Sequence, residues 1–322
     1  MFRYYLFILL SCFSLYGSEY SIVFVHVGSK APSYAFDSIT QARLFNPQAR
    51  IIFLSSTSAL EEMLPLLQEK NIELCSYDDL PLTQAHQFYN DHYLVNSGFW
   101  RYTSERFLYL WDLISTYKLE SVFHLENDNM LYEDLETLLG DFKRLYPGIA
   151  ATFDNDARCI PGLVWIANPT AMESLAQYFS KKAPEGLNDM QVIGKYRLEA
   201  PHNQVGSLPI IMPEYCTMHP LESPSHHTTT RPSSYFENAQ TFHAIFDAAA
   251  IGQFLGGIDP IHANNAPGFI NESCLFNPSL LEYEWIPDDK NRRVPYAVFQ
   301  GQYYKIINLH IHSKRLYEFK SF

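Results

Sequence analysis

The main hydrophobic pattern in the chain is a series of short, continuous apolar runs separated by longer amphipathic stretches. The runs at residues 20–27, 50–54 and 72–75 are short and bulky, as expected of strands buried on both faces of a sheet. Residues 33–44 and 59–70, which lie between these runs, have the pattern of helices. This alternation of strand and helix predicts an α/β fold in which helices cover both faces of a mostly parallel central sheet.

A further apolar run, at residues 122–125, ends abruptly in polar residues. Glu126, Asn127, Asp128 and Asn129 follow it directly. Ligands of open α/β sheets bind beyond the carboxyl ends of the strands, and carboxylate and amide oxygens suit a divalent cation that also binds phosphates. The segment therefore predicts a cation site at this edge of the sheet, although a polar turn after a buried strand would have the same sequence.

The last apolar stretch of the chain, residues 306–312, alternates with the period of a strand. Two histidines on one strand face, followed closely by Lys314, predict a metal ligand with a phosphate contact, although isolated histidines are more often core residues. His310 is slightly preferred to His312 as the ligand. One predicted face carries Ile307, Leu309 and Ile311, and the other carries Asn308, His310 and His312.

The helix that precedes residues 122–125 carries an arginine on its apolar side. We expect this helix to be capped by Thr103 and Ser104, which places Arg106 in the first turn, where the helix dipole disfavours a cation. Arg106 lies four residues before Leu110, so it points inward with the apolar face. This position favours either a salt bridge to Glu105 or Glu126, or a cation that receives an anionic ligand.

Composition and charge narrow the functional classes. The chain has 322 residues, of which 47% are hydrophobic, so it can form a large core. Its net charge of −12 argues against a nucleic-acid-binding protein, which needs a basic face. No Gly-x-Gly-x-x-Gly motif follows the first strand, which disfavours nicotinamide and flavin cofactors. The cysteines after residue 18 lack paired metal-ligand spacing, so we expect no structural zinc, and disulfides remain open.

The N-terminus predicts a targeting segment. Arg3 precedes an apolar run at residues 4–16, and small residues follow before charge returns at Glu19. The run is shorter than the roughly 20 residues that span a membrane, so residues 1–18 are expected to form a cleavable signal peptide. A short signal anchor and lipid modification of Cys12 are the alternatives. We expect an exported protein or one of the secretory pathway, with membrane contact only through this segment.

The order of these features resembles that of GT-A-fold glycosyltransferases. The resemblance depends on the first strand, the Ser-Glu-Arg-Phe segment around Arg106, and the apolar strand that runs into Glu126-x-Asp128. It implies that Asp128 binds the metal of a nucleotide-diphosphate sugar and that Glu126, where the family often has Asp, contacts ribose or metal. It also implies that Arg106 lies near the donor sugar and that Gly28, in the loop after the first strand, contacts the donor.

The resemblance extends to the C-terminal half. A histidine on the metal, here His310 or His312, and a lysine near the diphosphate, here Lys314, are similar to the family's arrangement. An acidic residue that meets the acceptor is implied at Asp189, at a predicted helix start, with Asp247 as its rival. A carboxylate at a helix start is also a routine capping feature.

The activity that this resemblance implies is metal-dependent transfer of a sugar from a nucleotide-diphosphate donor to a hydroxyl of a glycan, protein or lipid. Mixed carboxylate and imidazole ligands mildly favour Mn²⁺ over Mg²⁺. A single GT-A-like domain is expected over residues 19–322, with a nucleotide-binding half at 19–150 and an acceptor half with the metal-binding tail at 151–322. The alternatives are a metal-dependent hydrolase of a phosphate or sugar ester, and an inactive carbohydrate-binding protein with the same fold.

Overall fold

The computed structural model describes residues 18–93, 98–201, 204–259, 261 and 266–322. Residues 1–17, almost all of the predicted signal segment, lie outside the described residues, so the signal peptide stays a prediction. Among the residues that are described, no helix has both the length and the apolar character needed to cross a membrane. Cys75, Cys159, Cys216 and Cys274 are free thiols.

The strands form one large sheet and two small ones. The large sheet has the order β3-β2-β1-β4-β7-β6-β8, the second β10-β11-β12-β9, and the third β13-β5. In chain order the strands are β1 (Ser21–Val25), β2 (Arg50–Ser55), β3 (Glu73–Ser76), β4 (Val122–Leu125), β5 (Asn129–Leu131), β6 (Ile149–Asn155), β7 (Arg158–Ile166), β8 (Val205–Ser207), β9 (Ala244–Ile245), β10 (Glu282–Pro287), β11 (Arg293–Phe299), β12 (Gln302–Ile306) and β13 (Asn308–His310).

Helices lie on both faces of the large sheet, as predicted. Side chains of β1 alternate between two core layers, with Val23 in one and Phe24 in the other. The first layer includes side chains of α4, α6 and α7, and the second those of α1, α2 and α5. The helices are α1 (Tyr34–Phe45), α2 (Thr57–Leu67), α3 (Gln84–His92), α4 (Gly98–Tyr117), α5 (Leu135–Leu145), α6 (Pro169–Lys182), α7 (Asp189–Glu199), α8 (Pro213–Met218), α9 (Ala239–Phe242) and α10 (Ala250–Gly256).

The order of strands changes direction beside β1. β1 pairs in parallel with β2 on one side and with β4 on the other. Such a reversal opens a crevice at the carboxyl ends of the two strands, which is where α/β sheets bind ligands. Asn127, just after β4, donates a hydrogen bond of 3.0 Å to the carbonyl of Val25, the last residue of β1. The predicted cation-binding segment therefore lies at this crevice.

The C-terminal strand is shorter than predicted. β12 ends at Ile306, and β13 pairs antiparallel with β5 with His310 opposite Asn129. The chain turns at Ile307, which packs in one core layer, whereas Leu309 packs in the other. The expectation of one continuous strand face is therefore wrong, because the backbone of Ile307 bonds to two other segments, with its N–H donated to Ile245 and its carbonyl accepting from Tyr132.

The helix that carries Arg106 begins earlier than predicted. α4 starts at Gly98, so Thr103 and Ser104 do not cap it. Ser104 is buried within the helix, and the hydroxyl of Thr103 donates back to the carbonyl of Trp100 at 3.0 Å. Serine and threonine inside helices satisfy their hydroxyls in this way. Arg106 therefore lies beyond the first turn, and the predicted dipole penalty does not apply to it.

Candidate active site

Glu126, Asp128 and His310 converge at the crevice. The Nε2 atom of His310 lies 3.3 Å from Oε2 of Glu126 and 3.2 Å from Oδ2 of Asp128. One potential ligand atom from each residue lies within 4.8 Å of the others, and no second such trio of His, Cys, Asp or Glu occurs in the described ranges. Two carboxylates and an imidazole directed at one point form a donor set that suits a divalent cation.

The strand pairings and one glycine bring these three side chains together. The N–H of Glu126 donates to the carbonyl of Gly162 on β7 at 3.0 Å, and the carbonyl of Asp128 accepts from Ile311 at 2.8 Å. A Cβ at Gly162 would lie 3.0 Å from Nδ1 of His310, so a larger residue would displace the imidazole. The small size of Gly162, a residue that the sequence did not mark as functional, therefore allows the close approach.

The electrostatics of the cluster depend on its burial. Burial raises the pKa of the Asp128 carboxyl, but the neighbouring His310 and Lys314 together outweigh this and hold it well below its usual range. Burial lowers the pKa of His310, but Asp128 and Glu126 overcome that effect and raise it to about 9. Without a cation, the protonated imidazole holds the two carboxylates together. A cation that binds to Nε2 must displace this proton.

Asp247 lies behind His310 rather than in the crevice. Its carboxylate is fully buried and accepts backbone N–H bonds from His310 at 2.9 Å, Gly252 at 2.8 Å and Ile251 at 2.9 Å. Burial, partly offset by these hydrogen bonds, raises its pKa to about 6. The structure thus places this predicted catalytic residue where it fixes the backbone of His310.

Arg106 links Glu126 to Asp189. Its guanidinium forms an ion pair with Glu126 and donates a bond of 2.6 Å to Oδ2 of Asp189. Asn188, which forms a capping box with Gln191, is the N-cap of α7, so the Asp189 side chain is not used as a cap. Burial raises the pKa of Asp189, while Arg106 lowers it by less. The sequence left open a salt bridge to Glu105 or Glu126 and a contact with an anionic ligand for Arg106, and it did not predict the pairing with Asp189.

Lys314 completes the site on the opposite side of the cluster. Its ammonium forms an ion pair with Asp128 and lies 5.5 Å from the ring centroid of Tyr34. Burial raises the pKa of Tyr34 to about 12, and the nearby Asp128 adds to the effect. Tyr34 was missed at the sequence level. Its position as the first residue of the helix after β1, at the carboxyl edge of the sheet, could have marked it.

The remaining predicted residues lie beside the cluster. Nδ1 of His312 accepts a bond of 3.2 Å from the N–H of Asp259, and His312 is absent from the group of potential ligands. Burial, reinforced by the neighbouring positive charges of His310 and Lys314, lowers the pKa of His312 to about 4. His312 is therefore neutral at pH 7 and lies next to a cationic neighbour.

Gly28 lies in the loop that leaves β1 at the crevice. It adopts φ +147°, which favours glycine. Its N–H is 3.3 Å from the hydroxyl of Tyr77, and its carbonyl accepts from Ser56 at 2.7 Å. The loop after β1 is therefore fastened to the segments that follow β2 and β3.

The chain matches no protein-family model and no curated protein. Solved structures with similar folds include mouse xyloside xylosyltransferase 1 in its apo form, at 13% identity and a TM-score of 0.45, covering 59% of this chain and 85% of that one. The galactosyltransferase LgtC with donor and acceptor sugar analogues has 13% identity and a TM-score of 0.41, covering 62% and 77%. A cytidylyltransferase from Leptospira borgpetersenii has 8% identity and a TM-score of 0.38, covering 59% and 76%.

Glycosyltransferases, the class that the sequence resembles, are thus among the solved structures with similar folds. These TM-scores lie below 0.5, so the likeness assigns no function, and the chemistry of the crevice depends on its own side chains.

Proposed function

We propose that the protein is a metal-dependent glycosyltransferase that moves a sugar from a nucleotide-diphosphate donor to a hydroxyl acceptor. The observation that carries the proposal is the convergence of Glu126, Asp128 and His310 at the point where the strand order reverses. Arg106 and Lys314 flank this cluster with positive charge on two sides. An acidic cation site between two cations matches the charge of a metal-bound diphosphate.

The residues fit a divalent cation. Asp128 and His310 would hold it, with Glu126 as a third ligand, and mixed oxygen and nitrogen ligation favours Mn²⁺ over Mg²⁺ mildly. A cation bound here would neutralise charge on a departing diphosphate. Lys314 would then exchange its contact with Asp128 for a contact with phosphate oxygens.

The opposite end of the site suits the acceptor. Arg106 holds Asp189 in place, and burial raises the pKa of this carboxylate, which makes it a better proton acceptor than an exposed aspartate. We infer that Asp189 orients the acceptor hydroxyl and takes its proton if the reaction inverts configuration. Asp247 supports His310 from behind and contacts no substrate in this proposal.

The test is nucleotide release from a panel of UDP- and GDP-sugars, with and without Mn²⁺. The variants are Asp128→Asn and a control, Asp141→Asn, at an exposed ion pair with Arg144. We expect manganese-dependent release in the wild type and in Asp141→Asn, and a loss of about 100-fold or more in Asp128→Asn. No release and no nucleotide binding with any metal would contradict the proposal.

Two other outcomes separate the alternatives. Release of phosphate or sugar from simple esters, with no dependence on a nucleotide, would favour a metal-dependent hydrolase. Sugar binding without turnover would favour a carbohydrate-binding protein. We also propose that the protein works in the secretory pathway or outside the cell. Secretion of a reporter fused to residues 1–18 would test this, and retention of the reporter in the cytosol would contradict it.

A further inference from the structure

The first turns of α4 expose large aromatic side chains. Phe99 is 65% exposed, Tyr102 is 48% exposed and Trp100 is 38% exposed. The same helix delivers Arg106 to the site, so these rings lie on the part of the helix that continues outward from it. Single exposed aromatics are common on protein surfaces, but these rings lie together on the helix that carries Arg106.

Phe99 and Tyr102 share the face of α4 that is directed at the site. Tyr102 is four residues and Phe99 seven residues before Arg106, and residues with this spacing lie along one side of a helix. Arg106 fixes the direction of this side, since its guanidinium donates to Asp189 at 2.6 Å. The two rings therefore extend the Arg106–Asp189 side of the site towards solvent.

We propose that Phe99 and Tyr102 form a platform on which a neutral pyranose ring of the acceptor stacks, an inference that rests on the proposed function. A platform beside Asp189 is on the acceptor side of that site. Within the described part of this face, Arg106 directs its guanidinium inward to Glu126 and Asp189, so the exposed outer turns present rings rather than a charge to a ligand. An aromatic ring offers a flat apolar face on which the apolar face of a pyranose can pack.

One neighbour supports the platform. The ring of Trp100 packs edge-on against Phe99, with ring centroids 5.0 Å apart and an interplanar angle of 73°. Edge-to-face packing of this kind restricts a ring that would otherwise rotate freely in solvent. One face of Phe99 is thereby kept available for a ligand.

The experiment compares Phe99→Ala and Tyr102→Ala with two controls. Tyr102→Phe keeps the ring. Tyr303→Ala removes a ring that is 49% exposed on β12 of the second sheet. The first measurement is manganese-dependent nucleotide release from UDP- and GDP-sugars without acceptor. The second is the KM for transfer to a panel of methyl pyranosides. The third is saturation-transfer NMR of the same pyranosides with each protein.

We expect the two alanine variants to raise the acceptor KM by about three- to tenfold and to weaken the NMR transfer to the same extent. Acceptor-free nucleotide release should stay within about twofold of wild type, and Tyr102→Phe and Tyr303→Ala should resemble wild type. Unchanged KM and NMR transfer in both alanine variants would overturn the platform. An equal loss of acceptor-free release would overturn it too, because the rings would then serve the donor base.

If the proposed transferase function is wrong, the same measurements give a different pattern. A wild-type protein that releases no nucleotide contradicts the transferase, yet NMR still tests the platform. Pyranoside binding that is lost in the alanine variants would support it, and absence of binding by wild type would overturn it.

Discussion

The described residues contain two clusters in which a buried histidine lies between two carboxylates, and the two clusters differ in geometry. His310 meets Glu126 and Asp128 through the same ring nitrogen, Nε2, at 3.3 Å and 3.2 Å. His86, on α3, meets two carboxylates of α4 through opposite nitrogens. Its Nδ1 atom lies 2.5 Å from Asp112, and its Nε2 atom lies 3.7 Å from Glu105.

This difference separates a structural ion pair from a ligand site. A histidine with a carboxylate near each nitrogen is most stable when protonated, because both carboxylates stabilise the charge of the imidazolium. Asp112 also accepts the backbone N–H of Thr83 at 2.8 Å, and the ring of Tyr109 packs edge-on against His86. Two carboxylates at one nitrogen instead direct three donor atoms at a single point, where a cation can replace the proton. The same residue types therefore predict different roles.

Replacing each of the two histidines in turn should distinguish the two clusters most strongly when enzymatic activity is measured. His310→Gln removes the nitrogen that both carboxylates face, so we expect manganese-dependent nucleotide release to fall roughly 100- to 1,000-fold. Manganese titration of the release rate measures this loss. His86→Gln is the matched control and should release nucleotide at the wild-type rate per folded molecule. Equal losses in the two variants would contradict separate roles.

The same pair should behave in the opposite way when stability is measured. His86→Gln leaves Asp112 buried without its cation and leaves Glu105 with Arg101 alone, and breaking a buried ion pair costs about 3 kcal/mol of unfolding free energy. Urea unfolding measures the difference from wild type. His310→Gln should lose less stability, because Arg106 and Lys314 still face the carboxylates that it leaves. A smaller loss in His86→Gln than in His310→Gln would contradict this prediction.

The comparison also shows how far the sequence could predict the molecule. The strand-and-helix pattern predicted the α/β sheet because buried parallel strands are continuous apolar runs. The sequence also singled out Asp128 and His310, because each follows or lies in an apolar strand. It could not predict that Arg106 reaches Asp189, since that contact joins residues 83 positions apart on two helices whose packing is set by the core. The His86 cluster was missed for the same reason.

The separation of His312 from His310 has a local cause. Period-two alternation places His310 and His312 on one face only while the backbone remains extended, and β13 ends at His310. Hydrogen bonds formed by neighbouring segments, such as that from Ile311 to the carbonyl of Asp128, then decide where the chain goes. Hydrophobic periodicity does not predict tertiary hydrogen bonds of this kind.

Two buried aspartates extend the comparison, because each one supports one of the two histidines. Asp247 accepts three backbone N–H bonds behind His310, and an amide at this position would direct N–H groups at backbone N–H groups. We expect Asp247→Asn to weaken manganese affinity by about tenfold, because groups that orient a ligand typically have effects of this size. The measurement is the manganese concentration for half-maximal nucleotide release.

Asp112→Asn is the matched control for that variant. Asp112 is equally buried and also accepts a backbone N–H, but it supports His86. It should lower the free energy of unfolding and leave manganese affinity unchanged. Unchanged affinity in Asp247→Asn, or an equal shift in Asp112→Asn, would contradict the supporting role of Asp247.

The smallest expected effect is a pH dependence of stability at His86. Burial lowers the pKa of His86, but Asp112 and Glu105 outweigh burial and raise it above the ordinary 6.5. The folded protein therefore holds this proton more tightly than the unfolded chain, so the contribution to stability is complete below pH 6.5 and is lost as pH rises through the folded pKa. The cluster is also contacted by Tyr109, by Thr83 and by Arg101, which pairs with Glu105. None of these residues is altered in His86→Gln. The difference in unfolding free energy between wild type and His86→Gln should thus be largest below pH 6.5 and shrink as the pH rises through the folded pKa. Urea unfolding across this range measures the difference, and a gap that widens with pH would contradict a protonated His86 bridge.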